Sequence, residues 1–420
     1  MPNTLPEWLE YIERQHPRSI ELGLDRVRAV AARMGLVAPA RQVITVGGTN
    51  GKGSTVAFIE AMARAAGWRV GAYTSPHLLR YNERVRIDGD EVDDAALVSA
   101  FAAVEAARGD VALTYFEFGT LAALQLFAAA GLDLAVLEVG LGGRLDAVNL
   151  VDADVAVITT VDLDHQDWLG NDREAIGAEK AGIARAWKPL VLGETRPPSS
   201  VIGHAYRVGA SAIVHGSDFF VDPVDAGHWR WRELNFALEL PRPRLAGDVQ
   251  LRNAAVAIAA LRALPDGLPE AAFGEGVAAA RIDGRLQRFE PRSGIEVLVD
   301  VAHNPQAART LAAELAARPV AGRTRAVYAA LADKDSAGVV AALAHVIDEW
   351  RVAGLTGPRA LDADAFARRL HGTAAEHALR SVTVGDALGA ALAAAGPGDR
   401  IVVFGSFHTA AEALVALGQG

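Results

Sequence analysis

The residues with the clearest chemistry are Gly47-Gly48-Thr49-Asn50-Gly51-Lys52-Gly53-Ser54. Glycines let a backbone curl until several N–H groups face one anion, and a helix that starts there adds its dipole. Lys52 can reach terminal phosphates, and Ser54 can offer a hydroxyl to Mg²⁺. The spacing departs from the common G-x-x-x-x-G-K-[ST], because Gly53 separates Lys52 from Ser54. The competing reading is a Gly-rich turn with a solvated lysine. A β-branched run before the motif and a helical pattern after it favour phosphate binding.

Other candidates stand just beyond apolar runs. Glu138 closes Leu134-Ala135-Val136-Leu137, where a carboxylate would lie at the carboxyl edge of a sheet. The dense glycines of Val139-Gly140-Leu141-Gly142-Gly143-Arg144-Leu145-Asp146 permit close backbone approach or simply a tight turn. His165, in Asp162-Leu163-Asp164-His165, lies beyond another strand, so Glu138 and His165 could converge. Ser75-Pro76-His77 could supply a small oxygen ligand or be an ordinary turn. Spacing alone favours a solvated helix face for Lys180. In Asp300-Val301-Ala302-His303-Asn304-Pro305, helix capping accounts for Asn304, while Asp300 and His303 divide evenly between structural and functional readings.

These groups need elements to hold them. Residues 5–15 and 22–34 carry helical spacing, with Gly35 as a stop. Strand-like runs at 43–46, 70–73, 134–137, 155–158 and 190–192 alternate with helical patterns at 55–66, 93–107 and 115–130. That alternation implies a parallel sheet with helices on both faces. The stretch 218–248 reads instead as short antiparallel strands or loops, and helices resume at 250–263 and 269–281. A second alternating series uses 297–299, 326–328 and 401–404 as strands, with helices between. The expected fold class is α/β: an N-terminal domain over 1–287 with a phosphate loop and a mostly parallel sheet, and a smaller C-terminal α/β, Rossmann-like domain over 288–420.

Composition narrows the function classes. The chain has 420 residues, 51% hydrophobic and 22% charged, which excludes a disordered chain or a small disulfide scaffold. With 41 Lys+Arg against 51 Asp+Glu, the net charge of −10 disfavours extended nucleic-acid binding. The absence of cysteine removes disulfides, thiolate metal sites and a catalytic thiol. The first residues, MPNTLPEWLEYIERQHPRSI, lack a basic start followed by an apolar stretch, so no secretory signal is expected. Gln125, Asp133 and Glu138 interrupt the most apolar segment, Leu121 to Leu141, so no membrane span is expected. These readings point to a cytoplasmic protein.

In their order along the chain, the motifs resemble the folylpolyglutamate synthase/dihydrofolate synthase family of the Mur-ligase superfamily, bacterial bifunctional type. The matching blocks are GTNGKGS (48–54), TSPHLLRYNERVRIDG (74–89), TYFEFGTLAAL (114–124), LEVGLGGRLDAVN (137–149), DHQDWLG (164–170), EKAGI (179–183), DVAHNP (300–305), LADKD (331–335) and GSFHTAAE (405–412). The resemblance implies a ligase that uses ATP and Mg²⁺ to add L-glutamate to dihydropteroate and to reduced folates through an acyl phosphate. It also implies a monomer, with no nucleic-acid or membrane partner.

Residue by residue, the resemblance implies that Thr49, Asn50, Gly51, Lys52, Gly53 and Ser54 bind ATP phosphates. Asn253, Arg285, Asp300 and His303 match nucleotide-contacting positions or their neighbours. Ser75, Glu138 and His165 match Mg²⁺ ligands, and Lys180 matches a lysine carboxylated to a carbamate. Lys52, His165 and Lys180 are the implied catalytic residues. The pterin side involves Glu21, Leu22, Gly23, Leu24, Thr114, Tyr115, Phe116, Glu117, Leu145, Asp146 and Ala147. One rival is a Mur ligase of cell-wall synthesis with a nucleotide-sugar substrate; the TYFEFGT and SPHLLRY blocks argue against it. A nucleotide-gated switch would not need the second α/β domain.

Overall fold

A computed structural model describes residues 2–18, 20–357 and 359–419. The chain divides into two compact units, Met1–Arg244 with Gln250–Arg281, and Leu245–Val249 with Ile282–Gly420. The first opens with helices α1 (Leu5–Glu13) and α2 (Asp25–Arg33). Thr4 starts α1 through a reciprocal cap with Glu7, and Leu5, Trp8 and Ile12 bury one face of it.

Eight strands follow: β1 (Gln42–Gly47), β2 (Val70–Tyr73), β3 (Val85–Ile87), β4 (Asp90–Glu91), β5 (Leu134–Glu138), β6 (Val155–Ile158), β7 (Pro189–Leu192) and β8 (Ser211–Val214). They form one sheet in the order β4-β3-β2-β5-β1-β6-β7-β8. From β2 to β8 the neighbours pair in parallel, and every residue of β1, β2, β5 and β6 is buried. Burial on both faces is why these strands are mostly apolar, with Gln42, Thr45 and Glu138 as the polar exceptions. The crossovers are α3 (Lys52–Ala65), α4 (Asp94–Arg108), α5 (Tyr115–Ala130), α6 (Gln166–Leu169), α7 (Arg173–Ala181) and α8 (Ser199–Val208).

Residues 218–248 resolve into a three-stranded antiparallel sheet, β9 (Phe219–Pro223), β10 (His228–Glu233) and β11 (Phe236–Pro241). Alternation along β10 turns Trp229 and Trp231 inward, and the Trp231 indole N–H donates to the Ala255 carbonyl at 3.1 Å. Helices α9 (Val249–Arg262) and α10 (Glu270–Ala279) follow.

The second unit is a six-stranded sheet of β12 (Gln287–Arg292), β13 (Ile295–Val299), β14 (Thr324–Tyr328), β15 (Glu349–Ala353), β16 (Leu379–Ser381) and β17 (Arg400–Phe404), in the order β12-β13-β17-β14-β15-β16. All pairs are parallel except β12 with β13. Its helices are α11 (Pro305–Ala317), α12 (Ser336–Leu343), α13 (Ala363–Arg369), α14 (Val384–Ala394) and α15 (Phe407–Ala416). Asn304 caps α11 by accepting the Ala307 N–H.

Several features were not anticipated from the sequence, among them strands β8 and β12. Residues 85–91 add an antiparallel hairpin to the edge of the first sheet. The strands β15 and β16 lie where only helices were expected; Glu349 and Arg351 pair within β15 at 2.7 Å, so charges that suggest a helix surface neutralise each other on a strand. Among the described residues no helix is long and apolar enough to cross a membrane.

The α3–α10 contact generates a stability prediction. A Cβ on Gly276 would come within 2.4 Å of the Met62 Cα, a backbone atom that cannot turn aside. Gly276→Ala should lower stability by about 1–3 kcal/mol from overpacking, outweighing a helix-propensity gain of about 1 kcal/mol. In Gly203→Ala on α8, where nothing lies within 4 Å of the new carbon, only the gain should remain. Urea unfolding of the two variants compares them directly.

Candidate active site

The strand order β2-β5-β1-β6 sets four loops side by side at the carboxyl edge of the first sheet. In parallel α/β sheets this is the edge where ligands bind. The loops carry Ser75 after β2, Glu138 at the end of β5, residues 48–51 after β1, and residues 159–165 after β6.

The glycine-rich loop is shaped by contact with the loop after β6. Gly48 has φ +144°, and a Cβ there would fall 1.9 Å from the Thr159 hydroxyl oxygen. Thr49 donates its N–H to the Thr160 carbonyl at 2.8 Å, and its hydroxyl donates to the Asp162 carbonyl at 3.1 Å. The Thr159 hydroxyl donates to the Asn50 carbonyl at 2.6 Å. Gly51, at φ +87°, opens α3 without a side-chain cap and lies against Asn253, whose Oδ1 would be 2.7 Å from an added Cβ. The first N–H groups of a helix have no intrahelical partners, so this uncapped start offers donors and dipole to an anion. Lys52 reaches back to donate from Nζ to the Gly48 and Thr49 carbonyls at 3.1 and 3.3 Å. Ser54 is buried in the first turn of α3.

Glu138 is 4% exposed, and one of its oxygens accepts the Ser75 N–H at 3.2 Å. The Ser75 backbone and the Glu138 carboxylate therefore meet. His165 stands at φ +52° at the start of α6, and its N–H donates to the Asp164 carboxylate at 2.9 Å. Among the described residues no three His, Asp or Glu side chains gather as a metal cluster. Mg²⁺ does not require one: it keeps several waters and takes one or two carboxylates plus substrate phosphates. A buried carboxylate beside a serine, on the edge that carries the phosphate loop, fits that donor set.

Lys180 departs most from its sequence reading. Spacing favours a solvated lysine; instead Lys180 is 4% exposed. Glu179 pairs with Arg144, and Asp172 caps α7 through the Ala175 N–H. Burial pushes the Lys180 amine down to about 7, and the Lys52 charge adds to the shift, while Asp164 and Asp146 oppose it. The Asp146 carboxyl is raised to about 7 by burial, against the N–H groups of Leu141 and Val148 that donate to it at 2.8 and 3.1 Å. Lys52, Asp146, Asp164 and Lys180 thus share one electrostatic neighbourhood.

The implied pterin-side segments are also joined. Thr114 and Glu117 form the reciprocal cap of α5, and Gly23 donates its N–H to the Leu145 carbonyl at 3.2 Å. The Phe116 ring lies over Gly140, where a Cβ would be 2.7 Å away, and 5.9 Å from the Tyr73 ring. Sequence reasoning missed Arg84. Its guanidinium is buried between the Tyr81 and Tyr115 rings at 5.2 and 5.5 Å, and its Nε donates to His77 at 2.8 Å. Neutral partners of this kind suit a cation that takes a carboxylate. Arg84 lies inside the block RYNERVRIDG, but alternating charge there gave no sign of burial.

Arg285, Asp300 and His303 form a cluster of their own on the second unit. Asp300 accepts N–H groups from Leu286 and Ala302 at 2.9 and 2.7 Å, and burial raises its carboxyl although Arg285 opposes the shift. Arg285 lies over the Phe407 ring at 5.2 Å, and the His303 ring is 6.4 Å from the same ring. Asn253 belongs to the first unit, beside the phosphate loop.

Comparison with known proteins gives consistent matches. Residues 46–261 match the family described as Mur ligase middle domain, and 284–407 the Mur ligase, glutamate ligase domain. A protein of Escherichia coli (strain K12) named dihydrofolate synthase/folylpolyglutamate synthase is 47% identical over 414 residues, covering 98% of this chain and 94% of that one. The structure of E. coli FolC in complex with DHPP and ADP has a TM-score of 0.94 at 46% identity, covering 100% of this chain and 99% of that one. A bifunctional folylpolyglutamate synthase/dihydrofolate synthase with Mn, AMPPNP and L-glutamate bound has a TM-score of 0.91 at 46% identity, covering 99% and 98%.

The buried amine makes stability depend on pH. Its pKa is about 7 in the folded chain against an ordinary 10.5, so between those values the unfolded chain binds a proton that the folded chain does not. Stability should therefore rise with pH across that window. Lys180→Met keeps the length, removes the amine, and should flatten the rise while increasing stability near neutral pH. Urea midpoints of both proteins at pH about 7 and about 9.5 test this; parallel shifts would refute it.

Proposed function

Because the chain belongs to the dihydrofolate synthase/folylpolyglutamate synthase family of Mur ligases, we infer that it adds L-glutamate to dihydropteroate and to reduced folates, converting ATP to ADP and phosphate. The observation that carries this reading is the glycine loop, Lys52 and Glu138 at one sheet edge, with the buried Lys180 in the electrostatic neighbourhood of Lys52, within a chain matched over 98% of its length. A cell-wall ligase is disfavoured, because the full-length relatives carry folate names.

A carboxylate is a poor electrophile, so it must first be activated. The substrate carboxylate attacks the γ-phosphorus of ATP, the bond to the bridging oxygen breaks, and an acyl phosphate and ADP result. The neutral amine of L-glutamate then attacks the acyl carbon, phosphate departs, and the amine proton is released. Such phosphoryl transfer depends mainly on positioning and charge neutralisation. The uncapped start of α3 and Lys52 receive the phosphates, and Lys52 stabilises the charge in flight. Arg84, between its tyrosines, orients the carboxylate, and Phe116 flanks the pterin side. Asn253, beside the phosphate loop, contacts the nucleotide. Mg²⁺ would be held by Ser75, Glu138 and His165, where it would neutralise phosphate charge. A protonated Lys180 has no lone pair for a metal, whereas its carbamate would present oxygens that a hard cation accepts. We take the enzyme to be a cytoplasmic monomer.

Three measurements test it. Phosphate release should require ATP and either dihydropteroate or a reduced folate, and L-glutamate should be needed for turnover. Lys52→Ala should remain folded yet lose at least about 100-fold in kcat, the scale seen when a transition-state donor is removed. Incubation with ¹³C-bicarbonate should give a carbamate signal that is lost in Lys180→Ala. That signal should grow as pH rises through about 7, where the amine becomes neutral, rather than near 10.5.

A further inference from the structure

The three segments assigned to the pterin side lie far apart in sequence, and one residue outside all of them ties two together. Arg26, near the start of α2, donates from Nη1 to the Glu21 carboxylate at 2.7 Å and from Nη2 to the Glu21 carbonyl at 3.0 Å. The same Nη2 donates to Oε1 of Glu117 at 3.0 Å. Glu117 is buried, and its other oxygen accepts the Thr114 N–H at 2.8 Å. The third segment joins through Gly23, whose N–H donates to the Leu145 carbonyl.

We propose that Arg26 is a positioning residue for the pterin substrate, clamping the 21–24 strap to the first turn of α5. The proposal rests on the pterin-side reading given above. A carboxylate as buried as Glu117 needs a compensating cation, and breaking such a pair leaves an uncompensated charge. Arg26 is that cation, and its side chain is 25% exposed. Without it, Glu117 must draw in water or tilt, and the turn carrying Tyr115 and Phe116 loosens. Phe116 has little room to move, because it lies against Gly140. The strap loses its anchor in the same event. The phosphate loop is built from other contacts, so ATP binding should be spared.

Steady-state kinetics with dihydropteroate, ATP and L-glutamate separate this role from general stability. Arg26→Gln should raise KM for dihydropteroate about tenfold, with kcat and the other two KM values within about twofold. Arg26→Lys keeps the charge but reaches one carboxylate, so a rise of about threefold is expected. Adding Glu117→Gln to Arg26→Gln removes the stranded charge and should recover part of the loss. A merely structural role would reduce folded, active protein and leave all three KM values alone. If Arg26→Gln does not fold, the lysine variant carries the test, and an unchanged KM in it overturns the proposal. Phe116→Ala distinguishes the two ways to fail. If it raises KM for dihydropteroate while folded Arg26→Gln does not, the clamp is wrong and the pocket stands. If neither does, the pocket reading falls and the clamp with it.

Discussion

Parallel pairing of β1 with both β5 and β6 is the constraint on which the site depends. It fixes the ends of three strands at one edge, and β2 adds a fourth beyond β5. Register then decides which residue emerges first: Val46 pairs with Glu138, and Gly47 with Ile158. A slip of one residue would turn Glu138 to the opposite face and separate Gly48 from Thr159. Chemistry and sheet packing are therefore one problem, because the buried apolar strands that stabilise the sheet also set the loop positions.

Bringing these loops together concentrates charge where water is scarce. Lys180 and Asp146 both approach neutrality under burial, from opposite directions. Among the described residues neither forms a salt bridge to compensate its desolvation, so the arrangement opposes stability. The rest of the chain offsets it with a continuous apolar core around the first sheet. Local destabilisation of this kind is expected where a group must be reactive rather than merely paired.

The sequence made some of this legible and hid the rest for physical reasons. Strands β1, β2, β5 and β6 announce themselves because double-sided burial makes them short apolar, mostly β-branched or small-residue runs, with Thr45 the one polar residue inside them. The phosphate loop is legible because φ values of +144° and +87° at Gly48 and Gly51 favour glycine. Lys180 was not, since a buried lysine on α7 has the same spacing as a solvated one. Arg84 was hidden for a similar reason: aromatic stacking takes the place of a carboxylate, and no pattern in the chain reports it. The hairpin at 85–91 escaped notice because its strands are only three and two residues long.

Several residues at the site are also the residues that end or begin elements. Gly51 starts α3, Thr114 and Glu117 cap α5, His165 starts α6, and Asp146 caps the turn at Ala147–Leu150. Helix starts carry unsatisfied N–H groups that something must meet. Where a side chain meets them, as at Asp146 and Thr114, it is locked in one orientation and buried. Where none does, as at Gly51, the donors remain for an incoming anion. The same local rule thus yields two kinds of functional position, rigid side chains and open backbone, and the residue at the cap selects between them.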